Sequence, residues 1–251
     1  MKTKTNHHVV QIPLEFLIAC KIYKLEPREV LQIFIDHATV YDSIADGYSE
    51  GFSEASKTIS VFVSSLRRTA NGAHAYKHCL ESTALNFKGI YDLANRETGY
   101  TKAKRKKSLS YINDLYATME RVYTTSDTFY LDENTTLQFT KDFTVMCELH
   151  NCYPAEFLEH FMSRISLAEM EAKTGLKVPN DNFTMHFFMK IVLGFGLADD
   201  ETPDLTEDEV VFLMATEKMR LHIYTIRSVK ERTAIFKRFY QKRYEELMNQ
   251  N

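Results

Sequence analysis

Apolar residues recur along this chain with the period of a helix. Leu14, Leu17, Ile18 and Ile22 share one helical face, and a short break carrying Leu25 and Glu26 follows. Val30, Leu31, Phe34, Ile35 and Ala38 then form a second apolar stripe. Pro27 opens that stripe, and proline suits a first helical turn because its missing N–H removes no bond there. Two helices around a tight break predict an αα-hairpin.

The same grammar returns half a chain later. At a constant offset of 127, Gln11/Gln138, Phe16/Phe143, Cys20/Cys147, Pro27/Pro154, Glu29/Glu156, Leu31/Leu158 and Phe34/Phe161 are identical. Apolar character is kept at Ile18/Val145, Ile22/Leu149, Val30/Phe157 and Ile35/Met162. In the second copy the stripe after the proline runs through Phe157, Leu158, Phe161, Met162 and Ile165. The offset is close to half of the 251 residues, as a duplicated unit requires. Beyond residue 34 the match fades to scattered pairs such as Leu66/Leu193.

Further helices are predicted over 55–69, 73–95 and 108–122, the last with Leu109, Ile112, Leu115, Tyr116 and Met119 on one face. In the second half they fall over 182–195, 206–225 and from about Ser228 onward. Thr206 with Glu209 three residues on, ahead of Val210, Val211 and Phe212, has the form of a capping box. Gly194 and Gly196 suit a helix end. The polar, Thr-rich stretch 124–138 sits at the boundary between copies and reads as a linker. The expected architecture is all-α: a first repeat over 1–123, the linker, and a second repeat over 139–251. Each repeat holds about five helices, and the two pack pseudo-symmetrically through the Phe16/Phe34 and Phe143/Phe161 faces.

Composition agrees with this reading. Hydrophobic residues make up 44% of the chain, too many for a disordered one, and 8 Gly with 5 Pro supply few turns for an all-β fold. The longest apolar stretch, Phe187–Ala198, is interrupted by Lys190 and is too short to span a bilayer, so no membrane partner is expected. Lys2 and Lys4 ahead of an apolar run to Cys20 imitate a lipoprotein signal, but Glu15, Gln11 and Pro13 break the apolar region such a signal needs. Four Cys in a chain this long form no disulfide framework; reduced thiols in a cytoplasm are expected, with Cys20 and Cys147 in the core.

Candidate chemistry is sparse. Gly47-Tyr-Ser49-Glu-Gly51 fits the G-x-S-x-G nucleophile elbow, which works by holding a serine exposed on a tight strand-to-helix turn. No buried strand precedes it, and it is half of a local tandem with Gly51-Phe-Ser-Glu54. His74 and His78, four apart with Cys79 adjacent, can face one metal ion from a helix, yet no third ligand or H-E-x-x-H pattern accompanies them. Glu148, His150 and Cys152 alternate near the start of the second copy, opposite Lys21, Tyr23 and Leu25 of the first. His7-His8 lies at the terminus. No phosphate loop is present, and Gly194-Phe-Gly196 runs into acids that would repel a pyrophosphate. No cofactor is expected.

Charge placement says more than the formal net charge of −3. Lys102, Lys104, Arg105, Lys106 and Lys107 crowd into six residues, where helix-dipole repulsion favours an arm ahead of the helix. Residues 227–243 hold seven bases and one acid, with Lys230, Lys237, Arg238 and Lys242 opposite Phe236, Phe239, Tyr240 and Leu247 on a helical wheel. Residues 199–209 hold seven acids and no base. The repeated hairpin has the shape of a DNA-reading helix-turn-helix, but its second helix offers Arg28, Glu29 and Gln32, or Ala155, Glu156 and Glu159, and the acids would meet phosphates with the wrong sign. The expected function is therefore a non-enzymatic helical interaction or regulatory module, with a protein partner or self-association. The alternative is a nucleic-acid-binding regulator using the nine basic side chains from Lys102 to Lys107 and from Lys230 to Lys242 named above. A serine hydrolase built on Ser49 is a more distant reading.

Overall fold

Pro13, extended at φ −66° and ψ 141°, leads into α1 (Leu14–Ile22), which buries Phe16, Ile18, Ala19 and Cys20. The helix stops at Tyr23 because Lys24 turns left-handed at φ 55°. Leu25 N–H then reaches back to the Cys20 carbonyl at 2.9 Å and Lys24 N–H to Lys21 at 3.3 Å, the paired bonds of a Schellman end. Helix α2 (Pro27–His37) follows with Val30, Leu31, Ile33, Phe34 and Ile35 buried, and α3 (Val40–Ala45) closes the segment.

This computed structural model describes residues 10–45, 52–66, 80–96, 101–120, 128–131, 135–150, 152–176, 178–179, 181–197 and 206–249. After α3 come α4 (Phe52–Ser65), α5 (Leu80–Ala94) and α6 (Thr101–Glu120). The second half supplies α7 (Lys141–Leu149), α8 (Pro154–Ser163), α9 (Leu167–Thr174), α10 (Phe183–Val192), α11 (Glu207–His222) and α12 (Val229–Asn249). The architecture is mostly helical, and among the described residues no helix is long and apolar enough to cross a membrane. Helix α7 is capped by the Thr140 hydroxyl, which accepts from Phe143 N–H, and Cys152 N–H returns to the Cys147 carbonyl at 3.0 Å. Helices α1 and α7 begin 127 residues apart, as do α2 and α8, and α3 and α9.

Two sequence expectations change. The stretch read as a linker contains a two-stranded antiparallel ribbon, β1 (Thr128–Tyr130) with β2 (Thr136–Gln138), Phe129 opposite Leu137. Both of those side chains are buried, and α2 secures the free edge of β2: Arg28 donates to the Thr136 carbonyl, and Gln32 both donates to and accepts from the Gln138 backbone. The basic cluster is not an arm; it is the first turns of α6. Lys and Arg are good helix formers. Lys104 also donates to the carbonyls of Ala94 and Arg96, at the C-terminal end of α5, where a cation is favoured. Elsewhere the expected signals hold: Thr206 and Glu209 form the full capping box, and Gly194 and Gly196 take φ of 96° and 79° after α10. The predicted helix over 73–95 is seen as α5; its beginning lies outside the described residues.

The chain divides into two compact units. One holds the described residues of 1–11 and 28–161, the other those of 12–27 and 162–251. In the first, Phe34 and Phe161 stack with centroids 4.2 Å apart, and Phe143 meets Phe34 and Phe157 edge-on. Helix α7 lies on α6 and α3, and α5 and α6 approach so closely that a Cβ on Gly89 would come within 2.4 Å of the Tyr111 ring. In the second unit α12 is the central helix, with α9 and α1 laid along it and Phe236 and Tyr240 buried.

Arg232 is 1% exposed at the middle of that unit. Its guanidinium donates to the carbonyl of Ala172, in the last turn of α9, and to Ile223, which ends α11. One cation thus serves the negative ends of two helices. Gly175 caps α9 in ordinary helical geometry, so its need is space: a Cβ there would stand 1.9 Å from Arg232 Nη2. Gly175→Ala should therefore destabilise the protein by about 2 kcal/mol in urea unfolding. In an Arg232→Met background the same substitution should be neutral or slightly stabilising, because the clash is gone and alanine restricts the unfolded chain. Equal costs in both backgrounds would show that Arg232 does not set the requirement for glycine.

Candidate functional site

The nine basic side chains singled out from the sequence are deployed unequally. Lys102, Lys106 and Lys107 are exposed on α6, and Lys230, Lys237, Arg238 and Lys242 on α12. Arg105 turns inward, Lys104 is engaged at the end of α5, and Lys237 is paired with Glu15. The α6 and α12 groups belong to different compact units. Ser49 with its flanking glycines, His7, His8, His74, His78 and Cys79 lie outside the described residues. Among those described, no group of three or more His, Cys, Asp and Glu is placed to hold a metal ion. Cys20, Cys147 and Cys152 are buried free thiols. Burial, aided by Glu26, pushes Cys20 up to about 12, and burial also raises Cys147, the reverse of what a nucleophile needs.

The sharpest electrostatic feature lies in the first unit. Arg105 grips Asp42 with two nitrogens, Nη2 to Oδ1 at 2.7 Å and Nε to Oδ2 at 3.0 Å. Thr39 donates its hydroxyl to the same carboxylate at 2.5 Å and accepts from Asp42 N–H, capping α3. Asp142, from α7, accepts from Val40 N–H at 2.9 Å, so a carboxylate from one helix binds the first turn of another. Burial raises Asp142 to about 6; the Val40 bond opposes this, Asp42 adds to it, and Arg105 opposes it. A buried carboxyl so displaced is a candidate acid or base. Here both Asp42 oxygens are occupied by Arg105 and Thr39, and Asp142 serves α3, so the cluster ties helices together.

The second unit carries the feature that can receive another molecule. Helix α11 turns Phe212 inward, where it stacks on Phe239 with centroids 5.4 Å apart, under the Arg243 guanidinium. Charged ties hold the helix at intervals: Asp208 to Arg243, Glu209 to Lys24 at 2.8 Å, and Arg220 to Glu171 through two nitrogens at 2.5 and 2.8 Å. Lys24, with the Thr206 cap, lowers Glu209 to about 2. Thr216 is the only α11 residue that is buried among those described. Val210, Val211, Leu213, Met214 and Leu221 all face water, Val211 at 58% and Leu221 at 66% exposure.

Between α11 and α12 runs a groove of about 610 Å³. Val211, Ala215 and Met219 line one wall, Ile235 and Phe239 the other, and Arg238 and Lys242 stand on its α12 side. A second hollow, about 500 Å³, opens beside α1, α9 and α12, but the Lys237–Glu15 pair lies on its wall. The sequence signalled the start of α11 and the basic face of α12. It concealed the outer face of α11, because apolar residues at 210, 211, 213, 214 and 221 lie round the helix beside the inward Phe212.

No known protein family, curated protein or solved structure matches the chain.

The Asp142 cluster makes a pH prediction. Folding favours the protonated carboxyl, so its burial costs nothing below about pH 3, where it is protonated in both states. The cost grows as pH rises and is complete above about 6. Asp142→Asn keeps an acceptor for Val40 and removes the charge. It should match the wild type at pH 3 and exceed it by about 3 kcal/mol at pH 7. A stability difference that does not change between these pH values would refute the assignment.

Proposed function

We propose that the chain is two diverged copies of one helical unit and that it works without catalysis, as a protein-interaction module docking through α11 and α12. Duplication is supported by the common offset of 127 at three helix starts and by the same backbone return at both first-helix ends, Leu25 to Cys20 and Cys152 to Cys147. It is supported further by Arg105 and Arg232, which stand at that offset and turn inward from the early turns of α6 and α12. Buried free thiols fit a reducing compartment such as a cytoplasm.

The interaction reading rests on one observation: α11 is apolar on its outward face as well as on its inward one. Val210, Met214 and Leu221 share one side of the helix and stand in water, and an exposed apolar patch of this kind marks an interaction surface. A photo-crosslinking residue placed at Leu221 in living cells should give adducts, lost when Leu213→Asp and Met214→Asp are added. The same probe at Leu85, an exposed apolar position on α5, serves as the control. No adduct from Leu221, or adducts equal to those from Leu85, would remove α11 as the docking face.

A second reading, nucleic-acid binding, draws support from the exposure of Lys106, Lys107, Lys230, Arg238 and Lys242. It is weakened by the engagement of Lys104, Arg105 and Lys237 within the fold. The interaction reading expects no binding of random duplex DNA in an anisotropy titration at low salt. Micromolar binding that weakens steeply with salt would favour the second reading instead.

A further inference from the structure

We propose that the groove between α11 and α12 is filled by α11 of a second copy of this chain, forming a two-fold dimer; the inference rests on the docking face proposed above. An apolar helix face with acidic flanks fits the groove, because it is largely apolar and, with Asp208 taken up by Arg243, its remaining charges are Arg238 and Lys242 against Glu246. Helix α11 carries such a face. At 100° per residue, Val210, Met214 and Leu221 fall on one side of it, with Val211 and Leu213 at the margins and Phe212 and Met219 opposite. Its charges are Glu207, Asp208, Glu209 and Glu217 against Lys218 and Arg220.

Helix α12 is charged the other way, with six bases against three acids. Within one chain this opposition is only partly used. Arg243 takes Asp208, while Arg238 forms no ion pair among the described residues, and Lys242 reaches only Glu246, at 3.9 Å. Glu207 lies in the first turn of α11, and the Glu217 side chain, bound to Arg220, keeps 57% of its surface in water. Seating one α11 in the groove of a partner brings Glu207 and Glu217 to Arg238 and Lys242 and covers Val210, Met214 and Leu221, with Leu213 at the edge of the contact. Each chain carries both the inserting helix and the receiving groove on one patch. The contact is therefore isologous and closes at two copies.

Sedimentation equilibrium of the full chain across the micromolar range tests this. The expected mass at the upper end is twice 29.2 kDa. Leu213→Asp with Met214→Asp should leave a folded monomer with the wild-type circular dichroism, since both side chains are exposed, and its melting should no longer depend on protein concentration. Arg238→Glu with Lys242→Glu should weaken the dimer by at least about tenfold, and adding Glu207→Lys with Glu217→Lys should recover most of that loss. A monomer at every concentration overturns the proposal, as does a dimer indifferent to the Leu213 and Met214 changes. If the chain is monomeric yet crosslinks from Leu221 to a different protein, self-association falls while the docking face stands. If it is monomeric and gives no adduct, both fall.

Discussion

A guanidinium stripped of water must be surrounded by acceptors, and the surroundings that meet this demand fix much of the structure. In each compact unit an arginine from the early turns of a long helix turns inward. Arg105 closes on Asp42, whose other partner, Thr39, starts α3. Arg232 closes on the carbonyl ends of α9 and α11. The solutions differ chemically, a carboxylate in one case and helix-terminal carbonyls in the other. Both draw the long helix, α6 or α12, to its neighbours at a defined height. The second solution also dictates Gly175, since the guanidinium fills the space where a Cβ would stand.

The helices that depend on these anchors do not follow the order of the chain. Helix α1 lies on α12, although more than two hundred residues separate them, and α7 lies on α6. So the opening helix of the N-terminal half is built into the unit that holds the C-terminal helices. The opening helix of the C-terminal half is built into the unit containing α3 to α6. Each unit thus contains a helix from the opposite half of the sequence. Asp142 shows the same crossing in one bond: a residue of α7 supplies the acceptor for the first turn of α3.

What the sequence made legible was local and repeated. Proline at Pro27 and Pro154, the capping pair Thr206 and Glu209, and the glycines after α10 act through the nearest few residues, so their signal survives without tertiary context. Arg105 was hidden for the opposite reason. Within a run of lysines it reads as one more solvated cation, and only the fold reveals that its partner is 63 residues away. The β1–β2 ribbon was hidden because three-residue strands carry almost no periodicity, and its stability comes partly from Arg28 and Gln32 of α2. The groove was hidden because apolar residues of α11 fall both toward Phe212 and on the opposite side at Val210, Met214 and Leu221, so the pattern alone does not mark which side is covered.

That last point bears on why α11 is held as it is. Its attachments are mostly charged, Asp208 to Arg243, Glu209 to Lys24 and Arg220 to Glu171, with Phe212 as the principal apolar anchor. Partly exposed ion pairs contribute little stability each. They fix orientation, however, because each pins a different turn of the helix. A helix secured in this way keeps its outer face fixed in direction while leaving it uncovered. Burying that face within the chain would need only further apolar packing, which the fold uses freely around Phe34, Phe143 and Phe161. Positioning α11 by charge while Val210, Met214 and Leu221 stay in water gives the proposed docking face a fixed orientation before any contact is made, which lowers the ordering cost such a contact would carry.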